Sequence, residues 1–413
     1  MLGSIPLIRK SILAALIFQL AVTVTGTPSL AEPVHIHNTD PLNPPRTVSL
    51  EEIWRVGSED SDFIFGMLID SLADEDGNVY LLDNQLCQVE VFTADGEHLR
   101  TLSRQGEGPG EVQTPIAMTF MSDGSLGLVE LFPAKIEKIT RTGEPAGSVT
   151  FHSGEGVQTG FTVSVDCRNR AGVLTLAGMR GSPAEGGQKR IHYVARYAES
   201  GEELARYCET EAVINFNPPT FIENELLPAF WFGHAVGPDG RVYLAPSRDD
   251  YKIEVYLPDG TLDRIIEREF KNRPRDNRDR ARMQAMVDAW YTGVPVDVEC
   301  TFTENEPAIS EMFLTADNTL WIQHSRSGHE QPEGVLLTYD TFDAEGNYLQ
   351  QVSVACDGDA AYDGLRFLGD GRVLLIKGYV LARWASLSPG ARADFGEEEA
   401  SQMEVICCRM IEE

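Results

Sequence analysis

The chain has 413 residues and a formal net charge of −30, with 64 acidic against 34 basic side chains. An excess of that size repels phosphate, so nucleic acid and anionic membrane surfaces are excluded as expected partners. It serves solubility first, and it also attracts cations such as calcium.

Residues 1–31 read as a secretory signal. Arg9 and Lys10 form the charged start, 11–24 is an apolar run, and Ser29-Leu30-Ala31 offers small residues for cleavage. The run is short for a bilayer span, so export is expected, with a retained N-terminal anchor as the alternative. No later stretch is long and apolar enough to cross a membrane. Residues 32–44 are expected to be a linker, and 45–413 a single domain.

Two series of tight turns divide that domain. The first is Asp76-Gly77, Asp123-Gly124, Ala171-Gly172, Asp239-Gly240, Asp317-Asn318 and Asp370-Gly371. The second is Asp95-Gly96, Thr142-Gly143, Ser200-Gly201, Asp259-Gly260 and Glu345-Gly346. Such pairs supply the positive φ that hairpins need. Near-continuous apolar strands follow the first series: 78–82 (NVYLL), 241–245 (RVYLA), 319–323 (TLWIQ) and 372–376 (RVLLI). Strands such as 88–92 (QVEVF), 135–139 (KIEKI) and 252–256 (KIEVY) precede the second. A repeat of this kind reads as a ring of four-stranded blades.

The first-series turns predict six blades. The last lacks an outer strand, and 50–57 (LEEIWRVG) resembles the outer strand 99–106 (LRTLSRQG) of the first full blade. The N-terminal strand is therefore expected to pair with 403–411 and close the ring, which removes exposed sheet edges. Between blades four and five, 273–291 places Met283, Met286, Val287 and Trp290 on one helical face, with a start expected at Asn272 or Arg273 before Pro274. The whole insertion spans about 270–308.

The run GNVYLLD, then VEVFTADGEHLR, then GEGPGEV within 77–112 resembles bacterial exported six-bladed β-propellers related to the NHL-repeat family. The resemblance implies an all-β fold over about 45–411. It does not select an activity, since propellers of this kind bind proteins or act as lactonases and lyases.

There are seven cysteines, so at least one is unpaired. Cys300 with Cys356, and Cys167 with Cys208, are the pairs to test. Cys407 and Cys408 are neighbours on a strand and point to opposite faces. Asp83, in LLDN, is expected to cap a turn rather than bind calcium, and GEGPGEV lacks the Lys-Ser/Thr of a phosphate loop.

Loop length points to a functional face. First-to-second and third-to-fourth strand turns are uniformly short. The longer segments 179–189, 209–232, 270–308, 325–334 and 388–402 all fall at the opposite rim, where binding loops on a rigid scaffold are expected. Asp70, His234, Glu311, Asp363 and Arg366 lie near the starts of innermost strands and are candidates for the channel mouth. Trp231, Trp290, Tyr291, Arg180, Arg326 and His329 are candidates for a recognition patch. For each, hydrogen bonding of strand ends or surface placement is the bland alternative.

Three functions are compatible with these residues. One is a monomeric module that binds a protein, peptide or glycan on the long-looped face, with no cofactor. Another is a divalent-metal-dependent enzyme of lactonase or lyase kind, with calcium at the channel mouth. The third is a structural part of an envelope assembly. No residue is assigned as catalytic.

Overall fold

The Asp-Gly turns form as their chemistry requires. In the first series the aspartate carboxylate accepts the backbone N–H two residues on, at 3.0 Å for Asp123 to Ser125, 3.1 Å for Asp239 to Arg241 and 3.0 Å for Asp370 to Arg372. The following glycines take positive φ. Each turn hands the chain from one short strand to an antiparallel neighbour. The computed structural model describes residues 32–58, 61, 63–151, 160–293, 297–386 and 402–412.

Strands β1 (Val34–Asn38) and β2 (Arg46–Val56) come first. A four-stranded antiparallel sheet follows: β3 (Leu68–Ala73), β4 (Val79–Asp83), β5 (Gln88–Phe92) and β6 (His98–Leu102). A second holds β7 (Pro115–Phe120), β8 (Leu126–Glu130), β9 (Lys135–Ile139) and β10 (Pro145–Thr150). The third has longer strands: β11 (Phe161–Arg170), β12 (Val173–Ala184), β13 (Gly187–Tyr197) and β14 (Glu203–Asn215). β15 (Thr220–Ile222) and the one-turn helix α1 (Glu223–Leu226) lead to β16 (His234–Val236), β17 (Val242–Leu244), β18 (Lys252–Tyr256) and β19 (Leu262–Arg268). β1 joins β19 in parallel, giving this sheet five strands.

Helix α2 (Asn277–Trp290) and β20 (Glu299–Thr301) form the insertion, with β20 parallel to β15. Then come β21 (Ile309–Leu314), β22 (Leu320–His324), β23 (Val335–Phe342), β24 (Tyr348–Ala355), β25 (Gly364–Phe367), β26 (Arg372–Ile376), helix α3 (Tyr379–Ser386) and β27 (Val405–Glu412). These last strands and β2 make one eight-stranded sheet, because β2 pairs antiparallel with β27 and, over Arg46–Ser49, parallel with β24.

The N-terminal strand thus pairs with the last strand, as the repeat predicts. Val48 lies opposite Glu412, and Val56 opposite Val405. Trp54 on β2 donates its indole N–H to the Ala94 carbonyl at 3.0 Å and stacks on Phe92. Gly96 in the neighbouring hairpin needs its positive φ, and a Cβ there would sit 2.5 Å from the Trp54 ring.

The core is a circuit of apolar layers between successive sheets. One layer joins Leu82 and Val89 to Met118 and Leu128, and the next joins Val129 and Ile136 to Leu176 and Tyr193. Further layers join Val194 to Leu244, Val255 to Ile322, and Tyr339 to Leu375. The last joins Leu374 and Cys407 back to Leu81 and Phe92. The arrangement is a propeller-like ring, with the first strand of each four-strand run innermost.

Several expectations are corrected. Among the described residues hydrogen bonding yields three separate four-stranded sheets, one of five, one of eight and the two-stranded β15–β20 pair, rather than six separate blades. The stretch 32–44 is not simply a linker, since it contains β1. Residues 179–189 are not a loop, because β12 and β13 extend through them to a hairpin at 184–187. In 209–232, β14 runs on to Asn215. Helix α2 starts later than Pro274 suggests. Asp276 is its N-cap and forms a reciprocal capping box with Asp279. Helix α3 was not anticipated. All seven cysteines are free thiols. Cys167 and Cys208 lie on β11 and β14, three strand spacings or about 14 Å apart, beyond disulfide reach. The expected signal at 1–31 and most of the 388–402 loop lie outside the described residues.

Candidate functional site

Three carboxylates are brought into the channel by the same local device. Each innermost strand that carries one departs from regular pairing just before it, between Leu68 and Asp70, Ser164 and Asp166, and Ile309 and Glu311. A bulge re-aims the side chain that follows it. Asp70 and Asp166 are both 3% exposed.

The carboxylates are threaded together by two arginines. Arg168 lies 3.0 Å from Asp166 and 3.7 Å from Asp70. Arg366 lies 3.6 Å from Asp70 and forms a close ion pair with Glu311. Asp166, Arg168, Asp70, Arg366 and Glu311 therefore form a chain of alternating charge across β11, β3, β25 and β21. Asp70 also accepts the Met118 N–H at 2.9 Å, which adds β7. Burial opposes ionisation of Asp166, but Arg168 first and Arg383 beside it outweigh it and hold its carboxyl below the usual range. Burial likewise opposes the charge on Arg366, yet Glu311, Tyr379 and Asp70 keep it firmly protonated.

His234 stands beside this chain. It is 2% exposed, with Nε2 4.0 Å from Asp166, and neither ring nitrogen is hydrogen-bonded among the described residues. Burial lowers its pKa in spite of Asp166, so the ring is neutral.

The network forms the waist between two cavities, both bordered by Arg168, Glu311, Gln323 and Leu365. The cavity on the short-turn side holds about 470 Å³ and reaches Asp74 and Asp370. The one on the long-looped side holds about 290 Å³ and is the rim pocket. Its walls come from the α1 segment, the insertion and α3, through Leu227, Phe232, Met283, Pro307, Val380 and Trp384.

The rim pocket carries a second buried charge group. Glu223 is 1% exposed. Arg275 grips it at 2.6 and 2.7 Å, Arg248 lies at 3.0 Å, and Thr303 donates both its N–H and its hydroxyl at 3.0 Å. Burial would raise the Glu223 pKa, but these partners hold it below the ordinary value. Arg248 is 8% exposed, and its Nε has no hydrogen-bond partner among the described residues. Arg383 on α3 lies over the Phe232 ring at 4.5 Å and has no carboxylate within ion-pair distance among the described residues. The pocket thus offers guanidinium donors beside an apolar wall.

The candidates named from sequence divide cleanly. Asp70, His234, Glu311 and Arg366 converge at the waist. Asp363 borders the rim pocket, but it is committed to Lys377 at 3.1 Å and to the N–H groups of Asp359 and Gly378. Trp231 is a core residue, donating to the Gly178 carbonyl and packing at a tilt against the His192 ring. Trp290 and Tyr291 pack the insertion against β15. Arg180 pairs with Glu203 and lies over Tyr193. Arg326 bonds the Lys271 carbonyl at the surface, and His329 is exposed nearby. Asp83 caps its turn, accepting from Gly66, Met67 and Leu86.

The waist does not fit calcium. Each of its carboxylates faces an arginine, so fixed cations already occupy the place a divalent ion would need. Asp166, Arg168, Glu223, Arg248, Arg275 and Arg383 were not anticipated. The Asp-x-Arg spacing of 166–168 was the one available signal, since it sets both side chains on one strand face.

No protein-family model matches the chain, and no curated protein matches it in sequence. Among solved structures it is similar to a DUF4221 family member from Bacteroides vulgatus, at 8% identity and a TM-score of 0.49, covering 89% of this chain and 99% of that one. It is also similar to virginiamycin B lyase from Staphylococcus aureus, at 12% identity and a TM-score of 0.42, covering 88% and 100%. A gluconolactonase from Xanthomonas campestris matches at 12% identity and a TM-score of 0.42, over 84% and 87%. Likenesses at this level leave the activity open.

Proposed function

We propose that this chain is an exported binding protein that takes a peptide by its C-terminal carboxylate and last apolar side chain, in the rim pocket. The observation that carries this reading is a pair of guanidinium groups that each keep unmet capacity for an anion. Arg248 keeps a buried Nε without a partner, and Arg383 lacks a carboxylate among the described residues, both beside Phe232, Met283 and Trp384. A buried donor without an acceptor costs stability unless something fills the role. A carboxylate with an adjoining apolar group matches both walls, whereas a neutral glycan leaves the arginines unmatched.

The wider frame is part of the proposal. Counting the eight-stranded sheet as two four-strand runs gives six blades, a reading supported by the circuit of apolar layers. Export rests on the 1–31 pattern, and a monomer is the working form.

Calorimetric titration with the tripeptide Ala-Ala-Leu tests the ligand class. The free acid is expected to bind, and its C-terminal amide at least tenfold more weakly. Equal affinity for both, or none for either, overturns the reading.

One observation favours a second reading as an acid–base enzyme that uses no metal. Neutral, unpartnered His234 beside Asp166 borders the larger cavity, where a histidine base has room to meet a substrate. Under that reading His234→Asn abolishes an activity and leaves peptide binding intact.

A further inference from the structure

The outer edge of the five-stranded sheet brings together three side chains that the channel does not use. β1 pairs in parallel with β19, and the register sets His37 opposite Glu267 and His35 opposite Ile265. Residues two apart on a strand share a face. His35 and His37 therefore project together, while Ile36 between them turns inward against the core. Ile266 is buried, so Glu267 after it emerges on the same outer face as the histidines.

The distances already approach those of a ligand set. One oxygen or nitrogen from each of His35, His37 and Glu267 falls within 4.8 Å of the others. Nδ1 of His37 lies 3.0 Å from a Glu267 oxygen. Tetrahedral zinc with bonds of about 2.0–2.1 Å places its ligands about 3.3 Å apart, so a small rotation of His35 completes the set. Lys252, the neighbour of Glu267 on β18, is paired with Glu254 at 2.9 Å and leaves Glu267 available.

The backbone beneath is held independently. Asn38 accepts the Tyr348 N–H at 2.8 Å and donates to the Gly346 carbonyl at 3.0 Å. The side chains thus stand on a fixed strand and need no large ordering to meet a metal. Two imidazoles and one carboxylate suit a borderline divalent transition metal, with a position left for water.

We propose that His35, His37 and Glu267 form a surface site for such a metal, zinc in particular, which fastens β1 onto β19. The site closes a loop of more than two hundred residues between His35 and Glu267. Its metal therefore stabilises the folded chain by mass action, without touching the channel or the rim pocket.

Titration of the untagged protein with zinc chloride tests this directly. The expected result is one zinc per chain, a rise in melting temperature, and a slower protease cut within 32–44. His37→Ala and Glu267→Gln each lower zinc affinity at least tenfold, while the metal-free melting temperature moves little because both side chains project outward. Calcium, which prefers several oxygens, gives no comparable binding. Absence of zinc binding in the unmodified protein overturns the proposal. So does zinc binding that both variants retain unchanged, since the metal would then sit elsewhere.

Discussion

Glu223 and Arg275 face each other side by side, with two parallel hydrogen bonds of 2.6 and 2.7 Å, both side chains almost wholly buried. The pair joins α1 to the insertion. Arg275 also reaches Glu306 at 2.7 Å, and Arg248 stands on the other side of Glu223. One carboxylate therefore organises the floor of the rim pocket and fixes the angle at which α2 lies on the ring.

Glu223→Gln should destabilise the protein by about 3–5 kcal/mol, the usual cost of removing one partner of a buried pair. Its pH signature follows from the depressed pKa. The stabilisation is present above the ordinary carboxylate value of 4.5 and is lost as pH falls through the lower folded value. Urea unfolding at pH 7 and pH 3.5 checks both effects, with the variant differing from the parent less at the lower pH.

His192 predicts a different titration. It is fully buried against Trp231, and burial first, then Arg190, pushes its pKa down from 6.5 to about 4. The unfolded chain takes up a proton near 6.5 while the folded one does not. Stability should fall from about pH 6.5 toward pH 4, by up to about 3 kcal/mol. His192→Phe should remove this slope and match or exceed the parent at pH 5, as read from chemical unfolding across that range.

Ring closure has its own test in Trp54. Truncation to Ala removes its packing on Phe92 and its bond to Ala94, and should cost about 3–5 kcal/mol. The loss should appear in one cooperative transition, since β2 is shared between β24 and β27. An unchanged urea midpoint would mean that β2 does not close the ring.

Much of the architecture was legible in the chain because it is local. Asp-Gly pairs announce hairpins through their own side chains, and 50–57 announced its partner by resembling 99–106. The site was less legible. Asp70, Asp166 and Glu311 each follow a bulge that shifts the alternation of inward and outward residues, so counting by twos misassigns direction. The third sheet hid Asp166 and Arg168 because Ala171-Gly172 replaces the usual Asp-Gly. Glu223, Arg248 and Arg275 are separated by tens of residues, and nothing in either local pattern says that they meet. β1 was missed because a single parallel edge strand has no hairpin turn to mark it.

The claim that the rim pocket is the ligand seat is tested most directly by a crystal structure of the protein with Ala-Ala-Leu. The account predicts the terminal carboxylate within hydrogen-bond distance of Arg383 and the Arg248 Nε, with the leucine side chain against Phe232 and Met283. A peptide found instead in the cavity beside Asp74 and Asp370, or only on the outer surface, would contradict it.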